Sequence, residues 1–306
     1  MTECQRLTKS GFISESYLKE EVRNEYLISV EMKKVWVIEL DLLDHFIKMC
    51  EKYNLTYWVG FGTLLGAVRH RGFIPWDDDL DVWMPRNDYE KLLTLKNEFK
   101  EPYFLQTTLD DIDYYSAFAR LRNSNTTGIL VSKDNKCNNG IYIDIYPLDG
   151  LCNNMQVQKI RSCHIRVINT CAHAYLYNVN PSKITRSIHC FLRLPFIPYD
   201  YKKSYMRANA LAKKTSWEDA NKVGIVVFWA YPFDKSNFDK ESFKNSLNMQ
   251  FEHLSVSVPA GYDEILRTLY GDYMKYPPAD ERGKWHNFEF DPDTPYTELE
   301  ERSRNA

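Results

Sequence analysis

Thr56-Tyr57-Trp58-Val59-Gly60-Phe61-Gly62-Thr63-Leu64-Leu65-Gly66-Ala67-Val68-Arg69 reads in order as a strand, a turn and a helix, and Trp76-Asp77-Asp78-Asp79-Leu80-Asp81-Val82-Trp83-Met84 follows as a second strand. The first four residues are β-branched or aromatic, which suits a pleated, buried surface. Gly60 and Gly62 make a flexible turn, and Thr63 stands near the N-cap of the helix. Pro85 ends the second strand. Upstream, Leu27, Val30, Val35, Ile38, Leu42, Phe46 and Cys50 recur at spacings of three to five, which predicts an amphipathic helix from about 26 to 53. Downstream, helical periodicity resumes over Asn87–Phe99. Tyr103–Gln106 and Ser116–Arg122 read as strands, and Ile141–Tyr146 reads as another, closed by Pro147. This order of elements predicts an α+β (mixed α/β) core.

In a strand, residues two apart share a face, so Asp77, Asp79 and Asp81 are expected to point one way and Asp78 the other, with Leu80 and Val82. Three carboxylates on one face repel and raise one another's pKa. A divalent cation reverses that effect, and oxygen-only sites suit Mg²⁺ or Mn²⁺. Paired metals about 4 Å apart hold the attacking and leaving oxygens of a phosphoryl transfer. A solvated acidic turn and a calcium loop are the alternatives. The apolar setting of Phe73, Ile74, Trp76, Leu80, Val82 and Trp83 argues against the first, and the lack of an EF-hand's central Gly and closing Glu against the second. At Gly62-Thr63, backbone N–H groups and a hydroxyl offer themselves to an anion. Arg69, His70 and Arg71 are either neutralisers of a diphosphate or ordinary surface charge. Asp144, the single acid in an apolar and aromatic strand, suits a further metal ligand, a general base or a salt-bridge partner. Asp149, just past Pro147, reads as a turn residue.

The chain has 306 residues, 44% of them hydrophobic, enough for a large core; a net charge of −3 gives no reason to expect nucleic acid as a partner. Seven cysteines, none in a C-x-x-C pair, argue against a disulfide framework or structural zinc and for a reducing compartment. The first residues lack an apolar signal region, no apolar run is long enough to span a bilayer, and the sequons at Asn54 and Asn125 read as chance matches. The stretch 155–214 holds eleven basic residues against the one acid Asp200, so that +10 there leaves −13 for the rest. Three regions are expected: a catalytic core with an N-terminal helix over 1–154, a basic and mainly helical region over 155–250 that faces an acceptor or a membrane, and a segment over 251–306 that packs back on the core.

The run YWVGFGTLLGAVRHRGFIPWDDDLDVWM from Tyr57 to Met84 resembles the signature of the LicD family of phosphotransferases, which includes fukutin and fukutin-related protein. The resemblance continues at YFLQ (Tyr103–Gln106), FARLRNSNTTG (Phe118–Gly128), GIYIDIYPLDG (Gly140–Gly150) and YGDYMKYPP (Tyr270–Pro278), and is weakest over 155–250. It implies a nucleotidyltransferase-like fold and metal-dependent transfer of a phospho-alcohol from a CDP-activated donor to a glycan. Bacterial members move phosphocholine from CDP-choline to a sugar of teichoic acid or lipopolysaccharide, and the fukutin branch uses CDP-ribitol. By that resemblance Asp77, Asp79, Asp81 and Asp144 bind Mg²⁺ or Mn²⁺, Gly62 and Thr63 cradle phosphate, and Arg69 or Arg120 holds the donor diphosphate. Asp81 or Asp144 is the base; Asp79 shares the catalytic role. The chain lacks the N-terminal anchor of the fukutin branch, which points to a bacterial-type soluble enzyme of the cytoplasm, peripheral at the inner face of the membrane.

For a quaternary ammonium, the aromatic candidates are Trp58, Trp76, Trp83, Tyr115, Tyr142, Trp229, Tyr231 and Trp285. His286 is a candidate base or phosphate donor, or a packing residue. Ile188–Ile197 in the basic stretch has the mixed character of a segment that contacts an anionic membrane or a lipid-linked glycan. Two other readings compete: nucleotidyl transfer from an NTP to a sugar phosphate or small acceptor, and a non-catalytic glycan- or choline-binding module, against which the clustered acids argue.

Overall fold

The computed structural model describes residues 1–130, 136–176, 200–227, 232–283 and 288–298. Helix α1 (Glu3–Lys9) precedes a hairpin of β1 (Glu21–Arg23) and β2 (Tyr26–Ile28), then α2 (Val30–Tyr53), β3 (Trp58–Val59), α3 (Phe61–Arg69), β4 (Asp81–Pro85) and α4 (Arg86–Thr94). Strands β5 (Tyr103–Gln106), β6 (Ala119–Asn123), β7 (Thr127–Leu130) and β8 (Ile141–Gly150) follow, then α5 (Met155–Leu176), α6 (Tyr201–Ala212), β9 (Lys222–Gly224) and β10 (Asn237–Asp239). The chain closes through β11 (Ser246–Phe251), β12 (Leu254–Pro259), α7 (Tyr262–Tyr270) and β13 (Phe288–Asp291), which pairs with β7. This is the α+β organisation expected.

The main sheet runs β10-β9-β8-β4-β3, with β6 on β8 and β5 on β6. Strand β8 is its axis. Along one edge it pairs in parallel with β4, from Asp81↔Asp144 to Pro85↔Leu148. Its other edge is shared, first by β6 as far as Ala119↔Ile145 and then by β9 from Asp149↔Gly224. Pro147 therefore does not close the strand. The Asp144 N–H donates to the Leu80 carbonyl on the β4 side, so the donor that Pro147 lacks faces the opposite edge, in the gap between β6 and β9.

Helix α2 covers this sheet. It starts at 30, not 26, because the Ser29 hydroxyl accepts from Met32 N–H and the preceding residues form β2; Asn54, left-handed at φ 49°, ends it. Trp36, Ile38, Leu42 and Phe46 are fully buried along its inner face, each contributing ~1.5–3 kcal/mol of apolar burial.

Other expectations fail as well. Trp76–Met84 is not one strand, since the ladder begins only at Asp81. The Asp77 carbonyl accepts from Trp36 Nε1 at 2.9 Å, and two-residue β3 reaches only Val82 and Trp83. The run 155–250 is helical only as far as α6 among the described residues; β9 and β10 then join the core sheet, and the 250/251 boundary falls inside β11. Ile188–Ile197 lies outside the described residues. No described helix is long and apolar enough to cross a membrane, and the cysteines among the described residues are unpaired.

Asp149 is no turn residue. It lies inside β8, 1% exposed, and takes a two-pronged ion pair from Arg86 at 2.7 and 2.8 Å. Arg86 opens α4 directly after β4, so this pair bolts together the far ends of the two parallel strands.

Candidate active site

The near ends of the same two strands carry acids. The parallel register sets Asp81 opposite Asp144, and the β6 register sets Arg120 opposite Asp144, so one rung of three strands reads Asp81, Asp144, Arg120. Arg120 Nε donates to Asp144 Oδ1 at 2.7 Å, the Tyr146 hydroxyl donates to Oδ2 at 3.1 Å, and the Arg120 guanidinium lies 3.9 Å over the Tyr142 ring. The salt-bridge reading of Asp144 is thus realised, with the carboxylate still on the site face. No bond from the Arg120 Nη atoms is formed among the described residues, which leaves that edge of the guanidinium as donor to an incoming anion.

Just before the rung, Asp77, Asp78 and Asp79 gather in a loop, where each offers one carboxylate oxygen within 4.8 Å of the others. The strict alternation expected of a strand does not hold, so Asp78, 5% exposed, belongs with its neighbours. Helix α3 supports this loop. Its N-cap is Gly60 rather than Thr63, and Phe61 opens it at φ +38°, a strained conformation worth about 1–3 kcal/mol. Edge contacts of the Phe61 ring with Trp83 and Tyr146, at 5.0 and 5.4 Å, hold it there. A Cβ on Gly62 would stand 2.6 Å from Asp77 Oδ2, so only glycine lets that carboxylate lie on the first turn of α3. Thr63 Oγ1 accepts from Asp81 N–H at 2.8 Å. Both residues therefore serve the aspartates directly, and the phosphate-cradling expectation for them meets a turn that Asp77 already approaches.

Sequence reasoning missed Glu39. It sits on the inner face of α2, 1% exposed, with its Oε2 lacking a hydrogen-bond partner among the described residues. Burial drives its pKa well above the carboxylate range, and Asp78, Asp77, Asp81 and Asp144 push it further the same way. The signal was present: an acid four residues after Val35 and three before Leu42, at a core position of the helical pattern. Burial likewise raises Asp79, with Asp81, Asp77 and Asp78 adding to it, and raises Asp81, with Asp144 and Asp77 adding and Arg120 opposing. Carboxylates crowded at one spot beside an orphaned buried oxygen are a donor set for a hard divalent cation.

Arg69 has its hydrogen bonds away from this cluster, although Asp77 is near enough to act on it electrostatically. It ends α3, about 9 Å along the axis from Thr63, and its Nη1 donates to the carbonyls of Tyr273 and Lys275 at 2.6 and 3.5 Å. Its Nε donates to His70 Nε2 at 2.9 Å, while His70 Nδ1 pairs with Asn24 Oδ1 at 3.1 Å. Burial, with help from Arg69 and Arg23, pushes the His70 pKa down to about 4 from 6.5. The unfolded chain therefore binds a proton that the folded chain refuses between pH 6.5 and about 4, and stability falls as pH falls through that window. His70→Gln is expected to flatten this part of a melting temperature against pH curve; an unchanged slope would assign the acid sensitivity elsewhere.

Of the aromatic candidates, Trp58 and Trp83 are core, Tyr115 is buried with its hydroxyl on Asn169 at 2.7 Å, and Tyr142 lies under Arg120. Trp76 is half-buried beside the acidic loop. Trp229, Tyr231, Trp285 and His286 fall outside the described residues.

Comparison with known proteins agrees with the site. A family model described as LicD/FKTN/FKRP, nucleotidyltransferase domain, matches residues 54–168, a span that holds the aspartate loop, the rung and the helix between them. Over 270 residues the chain is 30% identical to the lipopolysaccharide cholinephosphotransferase LicD of Haemophilus influenzae, covering 83% of this chain and 97% of that protein. Uncharacterised proteins of Rickettsia prowazekii and Rickettsia typhi are each 44% identical over 54 residues, 18% of this chain and 20% and 18% of theirs. With near-complete coverage of the Haemophilus protein and a family model centred on the acidic rung, this chain belongs to the LicD family.

Proposed function

We propose that the protein transfers phosphocholine from CDP-choline to a sugar hydroxyl of a lipopolysaccharide-type glycan and releases CMP. The observation that carries this reading is the near full-length similarity to a lipopolysaccharide cholinephosphotransferase, and the aspartate cluster at the head of β4 supports it. Asp77, Asp78 and Asp79, with Glu39 behind them, are the residues that would hold Mg²⁺ or Mn²⁺. The ion would supply charge neutralisation for the donor diphosphate.

The acceptor oxygen forms a bond to the distal phosphorus of the donor, the bond from that phosphorus to the CMP oxygen breaks, and the acceptor proton passes to a carboxylate. Asp144 is held by the Arg120 guanidinium as well as by Tyr146, whereas Asp81 shares the Tyr146 hydroxyl and burial raises its pKa, so Asp81 on the same rung is the better base. Arg120, fixed through Nε, would present its Nη edge to a donor phosphate. On this reading the protein works in the cytoplasm and meets a lipid-linked acceptor at the inner face of the membrane.

The test is to incubate the purified chain with Mg²⁺, lipopolysaccharide and either CDP-choline or CTP. Phosphocholine on the glycan with stoichiometric CMP is expected. Pyrophosphate release from CTP would establish nucleotidyl transfer instead, and binding of the glycan without turnover of either nucleotide would mark a binding module.

A further inference from the structure

At the C-terminal end of α3, two guanidiniums lie on aromatic rings with no carboxylate in ion-pair contact with them among the described residues. Arg69 stands 4.9 Å over the Tyr276 ring, and Arg282 stands 4.8 Å over Trp76 and 5.8 Å over Tyr276. Both are anchored to carbonyls. Arg69 donates to those of Tyr273 and Lys275, and Arg282 donates to those of Pro277 and Asn24 at 3.1 and 3.0 Å. Among the described residues neither forms an ion pair, although Asp280 and Glu281 immediately precede Arg282. The rings form one surface: Trp76 meets Tyr26 at 5.9 Å, His70 at 6.2 Å and Tyr276 at 6.0 Å, all edge-on. Tyr276 is 37% exposed. Backbone carbonyls orient the two cations without neutralising them, so the patch keeps its positive charge on rings that the guanidiniums and His70 cover, with Tyr276 partly exposed.

Trp76 directly precedes Asp77, and α3 joins the patch to the aspartate loop, so a chain of sugar rings bound here reaches the site. A trimethylammonium group would be repelled by Arg69 and Arg282, which already hold the positions over the rings that such a cation would take. Phosphate or carboxylate groups pair with guanidinium forks, and a sugar ring that carries one packs against the exposed part of Tyr276. We infer that Trp76, Tyr26, Tyr276, Arg69 and Arg282 form a subsite for an acidic or phosphorylated saccharide. That this saccharide is the acceptor rests on the proposed transferase reading; its binding does not.

The experiment uses the full chain without donor or divalent metal, so that it judges binding alone. The probes are core oligosaccharide released from lipopolysaccharide by mild acid, the same oligosaccharide stripped of phosphate with hydrofluoric acid, and choline chloride. The phosphorylated probe is expected to bind, to slow hydrogen exchange over 270–283 in the wild-type chain, and to lose at least about tenfold in affinity on dephosphorylation, on Arg282→Gln and on Tyr276→Leu. The exchange measurement keeps the question answerable if either variant fails to fold. Equal binding of both oligosaccharides, no change over 270–283, or protection of that segment by choline instead would overturn the inference. If the oligosaccharide binds as expected while CDP-choline is never turned over, the subsite stands and the transferase reading falls; active transfer with no protection of 270–283 has the opposite meaning.

Discussion

Asp79→Asn is expected to lower phosphocholine transfer by at least about 100-fold while raising the melting temperature of the metal-free chain. The two effects have one cause. Burial raises the Asp79 pKa, and the carboxylates of Asp81, Asp77 and Asp78 raise it further, so the folded chain holds this group against its own charge. An isosteric amide relieves that repulsion without a cavity, and it deletes one of the oxygens that would face a cation. Adding Mg²⁺ is expected to raise the melting temperature of the wild type by a few degrees, since an ion bound only by the folded state stabilises it, and to raise that of Asp79→Asn less. Differential scanning calorimetry with and without EDTA, beside a CMP-release assay, checks all three. Near wild-type turnover, or a lower melting temperature for the metal-free variant, would remove Asp79 from the site. Such opposed signs are what a functional cluster maintained against stability produces.

Asp149→Ala is expected to destabilise the fold by about 3–5 kcal/mol, because it takes the close, buried carboxylate away from a buried guanidinium. Arg86 keeps the Asn209 Oδ1 acceptor at 2.9 Å and the half-exposed Glu90 carboxylate at 3.4 Å, a neutral partner and a distant, solvated one that do not replace the two-pronged pair at 2.7 and 2.8 Å. In a chain of this size such a loss moves the melting temperature by on the order of 10 °C. The double variant Arg86→Met, Asp149→Leu is expected to recover most of it, since an apolar pair of similar volume removes both desolvated charges together. Chemical denaturation of the wild type, of Arg86→Met and Asp149→Leu singly and of the double variant measures the coupling; additive losses in the double variant would mean that the pair is not the cause.

Much of the scaffold was legible because its signals are local. The α2 periodicity, the Tyr103–Gln106 strand and the acidic run itself all follow from spacing and residue type. What failed depended on partners distant in sequence. Nothing local says that Trp36 holds the Asp77 carbonyl, which keeps the aspartates out of the ladder, or that β6 ends where Pro147 needs it to. Asp149 looked like turn chemistry because its partner, Arg86, lies on another element. Nothing local says that Arg69 donates to the carbonyls of Tyr273 and Lys275. Glu39 was legible and overlooked, an acid at a core position of an apolar stripe.

The rung that joins Asp81 to Asp144 also separates chemistry from chain length. Because the two carboxylates meet through hydrogen bonding between neighbouring strands, their register does not depend on how long the loops between β4 and β8 are, provided that Arg86 and Arg120 keep their places within that stretch. Loop length there can change while the reacting groups stay in register.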